Sequence, residues 1–578
     1  MLEVLDRAFR GRTTQWTEEE VSLSTPDIIF LDTEHYPAPD FARSLLLESE
    51  DGRRLVTRGS KGKGPLFTSS CKVPLSHLRS KNMGLVAQGE GTIGVRSRPE
   101  LIPDLLFGSK QEIISIEDAF ELRRDARNLV RTIVNLRRTV GHSKLIYAPG
   151  IMDPGNLALL CYLGIDLFDS SLLIYQSAKD RLILPDITVD VKDADWLLTD
   201  SSPGGILSFN LETAWKELQM VRWTIERGKL RDLVETRVTS DPWAVAVLRL
   251  LDQEGYEYQE EMAPVIGGTV HCNTKQSLHR PDVQRWRRRI LDGYEPPEHK
   301  RILLLLPCSA RKPYFTSKTH KIFREVIDTV GKSHLIHEVI VTSPLGVVPR
   351  ELELLYPASK YDIPVTGDWD CFERSMILEM LHHLNGFGYD EVICHMAEEF
   401  VAESIDCNLT AFKDPTSRES LDNLRSALVA ACEEQPAVPR AVDRVATMAS
   451  LARFQFGPGG EHLLDGAEVA GRYPRPRIVK GRGQLGMLSP ERGMISLTME
   501  GAKKLQEKDL NVVHIGNFDL KGNLFAVGVE SADRSIRIGD EAIIVRKDEV
   551  VGVGVASMSG GEMMDLSRGE AVRVRHSS

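Results

Sequence analysis

Residues 307–320 read Pro-Cys-Ser-Ala-Arg-Lys-Pro-Tyr-Phe-Thr-Ser-Lys-Thr-His, which packs a thiol, several cations, a phenol, several hydroxyls and an imidazole into fourteen positions. A thiolate attacks electrophilic carbon, and an amine can then displace it. Cys308 is the nucleophile this stretch offers, with Arg311, Lys312 and His320 close in sequence to favour its thiolate. Lys312, Tyr314, Ser317 and His320 complete a set able to hold a substrate and move its protons. The same residue types also suit structural work, Cys308 as a small buried residue at a strand end and His320 as a contact at a helix start.

The elements that must position this stretch are legible on either side of it. The apolar run 302–306 has the length and composition of a buried strand. After the stretch, Ile322, Phe323, Val326, Ile327 and Val330 fall at helical spacing. In open α/β sheets such strand-to-helix loops, at the carboxyl ends of strands, bind the ligand. If the sheet is parallel, two more strand ends converge there. One follows 339–342 and brings Ser343, then Arg350 and Glu351; the other follows 392–394 and brings 395–398. Arg350 suits a carboxylate, and Glu351 or Glu353 an ammonium, although such charges also cap or solvate helices.

At 578 residues the chain exceeds a single hydrophobic core, and roughly three to four domains are expected. Within 1–292, strand-like runs at 28–31, 145–147 and 165–169 alternate with helical ones at 116–140 and 156–163. Such alternation implies a parallel sheet, and a TIM-barrel-like domain fits the length. The paired Pro296-Pro297 marks a boundary. Beyond it we expect a Rossmann-like α/β core domain over 296–440, a small linking domain over 441–504, and a small β-barrel over 505–578. The last is expected from short alternating runs rich in valine and glycine. The fold class is therefore multidomain α/β with a C-terminal β-barrel.

Composition narrows the function classes. The chain is 42% hydrophobic and 27% charged, as ordinary globular proteins are. No run approaches the ~20 apolar residues that span a bilayer, and the first residues lack a secretory apolar region, so a cytoplasmic protein with no membrane role is expected. The eight cysteines, among them Cys71, form no CxxC or CxC pair, which argues against a disulfide framework and a thiolate metal site. The net charge of −11 does not exclude nucleic acid, because binding depends on local patches. Arg285, Arg287, Arg288 and Arg289 surround Trp286, next to Arg280. That island suits RNA phosphates, or alternatively a solvated helix face.

The run Pro307-Cys308-x3-Lys312-Pro313-Tyr314-x2-Ser317-x-Thr319-His320 resembles the signature of archaeosine synthase alpha subunits, which carries serine where this chain has Thr319, a hydroxyl in both cases. The runs 356–369 and 273–281 resemble the same family. The N-terminal region is similar to tRNA-guanine transglycosylases, and Gly164-Ile165-Asp166-Leu167-Phe168-Asp169-Ser170 looks like their nucleophile segment, with Asp169 at the nucleophile position. Where those enzymes bind zinc through three cysteines and a histidine, this chain offers His271 and Cys272, so no metal is expected. The tail resembles a PUA domain in Gly522-Asn523-Leu524-Phe525 and the glycines after it, with Arg573 and Arg575 suited to phosphate.

These resemblances imply a tRNA-modifying transferase. It would add the ε-amine of free lysine to the nitrile of 7-cyano-7-deazaguanine in the tRNA D-loop, and a radical-SAM partner would cleave the adduct to archaeosine. A homodimer is implied by family analogy, and no cofactor is needed because nitrile addition is not a redox step. Two routes are open: a Cys308 thioimidate displaced by lysine, or direct attack with His320 or Tyr314 managing protons. Base exchange through Asp169, and a non-catalytic tRNA scaffold, are the alternative functions.

Overall fold

The computed structural model describes residues 2–18, 21–49, 52–60, 64–67, 86–365 and 369–578; Cys71 and residues 366–368 of the 356–369 run lie outside them. The chain divides into two compact units, one of Met1–Ala263 with Phe525–Val527 and Met558–Ala571, the other of Pro264–Leu524 with Gly528–Ser557 and Val572–Ser578. The division at Ala263 falls ahead of the proline pair, because the helix Pro281–Asp292 buries Val283, Trp286 and Ile290 in the core of the second unit.

In the first unit a barrel-like sheet runs nearly in chain order through Asp27–Asp32, Ser44–Ser49, Gly52–Thr57, Leu66–Phe67, Val86–Gln88, Thr92–Val95, Ile113–Ile116, Leu145–Tyr147 and Leu167–Asp169. The last strand returns to pair in parallel with the first, Phe168 opposite Ile28. At the opposite side of the ring, the Leu66 N–H donates to the Glu90 carbonyl at 2.9 Å. Six of these strands run parallel to a neighbour, as in a TIM barrel, while antiparallel hairpins complete the ring. The helix expected over 116–140 begins at Ala126. Ile113–Ile116 is taken into the sheet beside Thr92–Val95, and the Asp125 side chain caps the Asn128 N–H at 3.0 Å.

The second unit is built on a five-stranded sheet ordered Gly346–Pro349, Ile336–Thr342, Ile302–Pro307, Glu391–Cys394, Asn408–Leu409. All neighbours are parallel except the first pair. The central strand alternates faces as a pleated strand must. Ile302, Leu304 and Leu306 pack with Phe323 and Ile327 of helix Lys318–Asp328 and with Leu424 and Leu428 of helix Arg418–Glu434. Leu303 and Leu305 belong to the opposite cluster, with Trp286 and with Ile377 and Leu381 of helix Cys371–Asn385. Burial on both faces explains why the strand reads as an unbroken apolar run. After the edge strand Gly346–Pro349 the chain makes a single 3₁₀ turn, Arg350–Leu352.

A four-stranded antiparallel sheet, Glu468–Ala470 to Met494–Leu497, flanked by helices Arg440–Phe456 and Met499–Gln506, follows. The tail forms a six-stranded sheet with Glu541–Arg546 and Glu549–Ala556 at its centre. Among the described residues no helix is long and apolar enough to cross a membrane.

Candidate active site

Parallel pairing brings three strand ends of the second unit to one cavity of about 810 Å³. Cys308 follows Ile302–Pro307, Ser343 follows Ile336–Thr342, and Ala397 and Glu398 follow Glu391–Cys394; all four line it. Cys272 to Lys275 and, around the start of helix Cys371–Asn385, Trp369, Asp370, Glu373 and Arg374 also line it. Phe400 and Glu403 line it as well.

Cys308 is an exposed residue and lines this cavity. Its thiol is held above the usual cysteine range because surrounding protein desolvates the thiolate; the Lys312 ammonium and a bond to the Thr342 hydroxyl pull it partly back. Lys312 is itself pushed down by burial, and its Nζ lies 4.0 Å above the Tyr361 ring. Behind the thiol runs a chain of buried hydroxyls: Thr342 Oγ1 lies 2.5 Å from the Tyr361 hydroxyl, which bonds the Tyr314 hydroxyl. Tyr314 is thus linked to the site through Tyr361 and Thr342, with its own phenol pushed up by burial.

Ser343 donates to Glu373 Oε1 at 2.5 Å, and Glu373 Oε2 accepts from the Asp370 N–H, closing a capping box at the helix start. Glu398 differs from its neighbours. Its Oε2 is buried and, among the described residues, has no hydrogen-bond partner. Burial also raises its carboxyl above the ordinary range.

Other expected site residues are placed elsewhere. Ser317 caps helix Lys318–Asp328, its Oγ accepting from the His320 N–H at 3.1 Å. His320 is buried and borders a second cavity of about 760 Å³, which Cys308 does not line. Its Nδ1 accepts from Arg350 at 2.9 Å, so the ring proton sits on Nε2. Burial, with the Arg350 guanidinium second, pushes its pKa down to about 3. A ring that stays neutral down to that pH is a poor proton carrier at neutrality, and His320 acts through packing instead.

Arg350 does hold carboxylates, but they are the chain's own Glu338 and Glu353, each at 3.0 Å. Glu351 is likewise internal, accepting from the Tyr294 hydroxyl at 2.5 Å. In the first unit Asp169 is fully buried at its strand end. Its oxygens accept from the Tyr147 hydroxyl at 2.6 Å, the Gly150 N–H at 3.1 Å and the Ser171 N–H at 3.0 Å.

The arginine island is mostly structural. Arg285 and Arg287 are buried and donate to backbone carbonyls, Arg285 to Pro264 and Arg287 to Pro344 and Leu278. Their helix packs into the α/β core, so those two cannot meet phosphates, and Arg288 is left as the exposed member. In the tail Arg575 pairs with Glu541, and Arg573 is exposed to solvent.

Glu373 and Glu398, which line the cavity, and Thr342 and Tyr361, which bond behind it, are members of the candidate site that reading the chain did not single out. Tyr361 and Glu398 each lie in a run that was noticed, 356–369 and 394–398, but nothing in their spacing distinguishes them from ordinary loop residues.

Residues 283–428 match the family described as "Domain of unknown function (DUF5591)", and residues 517–577 match the PUA domain. Archaeosine synthase subunit alpha of Methanosarcina acetivorans is 35% identical, over 81% of this chain and 80% of its own. The protein of the same name from Thermoplasma acidophilum is 35% identical, over 85% of this chain and 96% of its own. The tRNA-guanine(15) transglycosylase of Methanothermobacter thermautotrophicus is 26% identical, over 78% of this chain and 68% of its own.

Proposed function

The chain belongs to the family of archaeosine synthase alpha subunits, and we propose that it modifies tRNA by joining the ε-amine of free lysine to the nitrile of 7-cyano-7-deazaguanine in the D-loop. The observation that carries this reading is the cavity at the strand ends, where Cys308 shares the lining with Asp370, Glu373, Glu398 and Glu403, carboxylates that outnumber the Lys275 and Arg374 cations beside them. A nitrile carbon is the electrophile a thiol adds to, and an acidic lining favours a cationic co-substrate.

In the first route the Cys308 sulfur bonds the nitrile carbon and the thiol proton passes to the nitrile nitrogen. The lysine amine then displaces sulfur from this thioimidate, leaving an amidine. Lys312, beside the thiol, favours the thiolate that begins the sequence. Direct attack by the amine is the second route, and the desolvation that raises the thiol supports it. Neither route is a redox step, so no cofactor is required. A radical-SAM partner subunit would cleave the adduct, and the assembly would be a cytoplasmic homodimer; the exposed Arg288 and Arg573, with the PUA tail, offer contacts to the tRNA backbone. Base exchange through Asp169 is disfavoured, because its carboxylate is buried and occupied by three donors of its own domain.

The test is nucleoside mass spectrometry on tRNA bearing the cyano base, incubated with the full chain and lysine alone. A lysine-adducted nucleoside is expected, and an unchanged nitrile nucleoside would refute the transferase reading. Cys308→Ser then separates the routes: a near-normal rate sinks the thioimidate, while loss of activity favours it.

A further inference from the structure

Most acidic groups around the Cys308 cavity already have work. Asp370 caps its helix and pairs with Lys275 at 2.8 Å, and Glu373 holds Ser343 and the Asp370 N–H. Glu403 is exposed. Glu398 is the exception. It follows the strand Glu391–Cys394, which pairs with the strand that presents Cys308. It lines the same cavity, and it lies near enough to act on the Cys308 thiol electrostatically. The backbone N–H groups of Ala397 and Glu398 face its carboxylate. Oε2 is withdrawn from water and has no partner among the described residues. A buried acceptor left unsatisfied costs about 1–3 kcal/mol, so such an oxygen beside a substrate cavity is placed for a donor that the ligand brings.

We propose that Glu398 is the base that receives the amine donor: its Oε2 takes a proton from the incoming ammonium and frees the nitrogen lone pair for attack at the carbon held by or beside Cys308. This assignment rests on the lysine-transfer reading and adds the residue that makes an amine reactive there. An aliphatic ammonium is almost fully protonated at neutral pH and has no lone pair to give, so the reaction requires an acceptor at this point.

In the thioimidate route the ammonium gives one proton to Glu398. The nitrogen pair forms the N–C bond, the C–S pair returns to sulfur, and Glu398 gives the proton back to sulfur. The product is the amidinium, with thiol and carboxylate regenerated. In the direct route the returned proton goes to the nitrile nitrogen instead. Nothing is oxidised or reduced in either case. Burial raises the affinity of Glu398 for a proton, which narrows the gap to an aliphatic ammonium.

The experiment compares lysine with hydroxylamine, a nucleophile that is uncharged at neutral pH and needs no base to free its lone pair. Both are offered to full-length wild type, Glu398→Gln and Glu398→Asp on tRNA carrying the cyano base, with single-turnover adduct formation read by mass spectrometry and tRNA affinity measured in parallel. Glu398→Gln should lose roughly 10²–10⁴-fold in rate with lysine. It should keep its hydroxylamine rate within a few-fold and its tRNA affinity unchanged, and Glu398→Asp should recover part of the lysine rate. Equal losses with both nucleophiles would overturn the proposal in favour of a structural role, as would an unimpaired lysine rate in Glu398→Gln. Failure of the wild type to form any lysine adduct would instead refute the transferase reading itself.

Discussion

The placement of His320 carries a quantitative consequence. Burial and Arg350 hold its pKa at about 3, against an ordinary value near 6.5 in an unfolded chain. The folded state therefore refuses a proton that the unfolded state accepts. The contribution is whole above the unfolded pKa, is lost as pH falls below it, and goes on falling until the folded ring titrates near 3. At about pH 5 the ratio of the two binding terms corresponds to ~2 kcal/mol, and the limit at still lower pH is ~5 kcal/mol.

His320→Asn removes the titration and keeps an acceptor for Arg350 in place of Nδ1. The variant gives up ring contacts with Tyr314 and Phe323, so at neutral pH it should be less stable by about 1–3 kcal/mol. Its acid-side slope should be shallower than that of the wild type. Amide hydrogen exchange of helix Lys318–Asp328, corrected for intrinsic rates, reads the local opening directly. Wild-type protection should fall by about 30-fold between neutral pH and pH 5, and the variant's by much less. Carbon-13 labelling of the histidine rings gives the titration itself. A His320 resonance titrating near the ordinary histidine value, or equal acid slopes in the two proteins, would refute the reasoning. So would a lysine-transfer pH profile that loses one limb in His320→Asn, since a positioning residue leaves the limbs where they are.

Three further outcomes follow from other parts of the molecule. Arg231 is fully buried and holds Asp252 through two bonds of 2.8 and 2.7 Å and Glu235 through one of 2.8 Å. Arg231→Met strands those carboxylates and should destabilise the first unit by about 3–5 kcal/mol, read as a lowered thermal midpoint; an unchanged midpoint would contradict this. Thr342→Val removes the hydroxyl between Tyr361 and Cys308, so iodoacetamide should alkylate Cys308 more slowly at neutral pH, mapped by peptide mass spectrometry, and a faster rate would contradict the assigned bond. Arg573→Glu should weaken tRNA binding and reduce the salt dependence by about one contact, while lysine KM stays constant; an unaltered salt slope would place Arg573 outside the RNA interface.

Local pattern was enough wherever one short stretch decides its own environment. The apolar run before Cys308 is a strand buried on both faces, and an amphipathic helix follows the loop after it, as the spacing of its apolar residues requires. The motif, and with it the family, was legible because it lies within fourteen consecutive residues. Periodicity misled where a face had to be assigned. Four arginines around a tryptophan look alike whether a helix is solvated or packed, and only the core beneath Pro281–Asp292 shows that Arg285 and Arg287 are spent on carbonyls. The site itself divided along the same line. Cys308 and Lys312 were identifiable by type and spacing, whereas Tyr361, Glu373 and Glu398 join them across long stretches of chain through strand order and helix docking. Sequence determines which side chains are available and which local elements carry them. Tertiary structure alone decided which of them share a cavity and which are consumed by the chain's own buried groups, because hydrogen bonds and burial depend on neighbours in space.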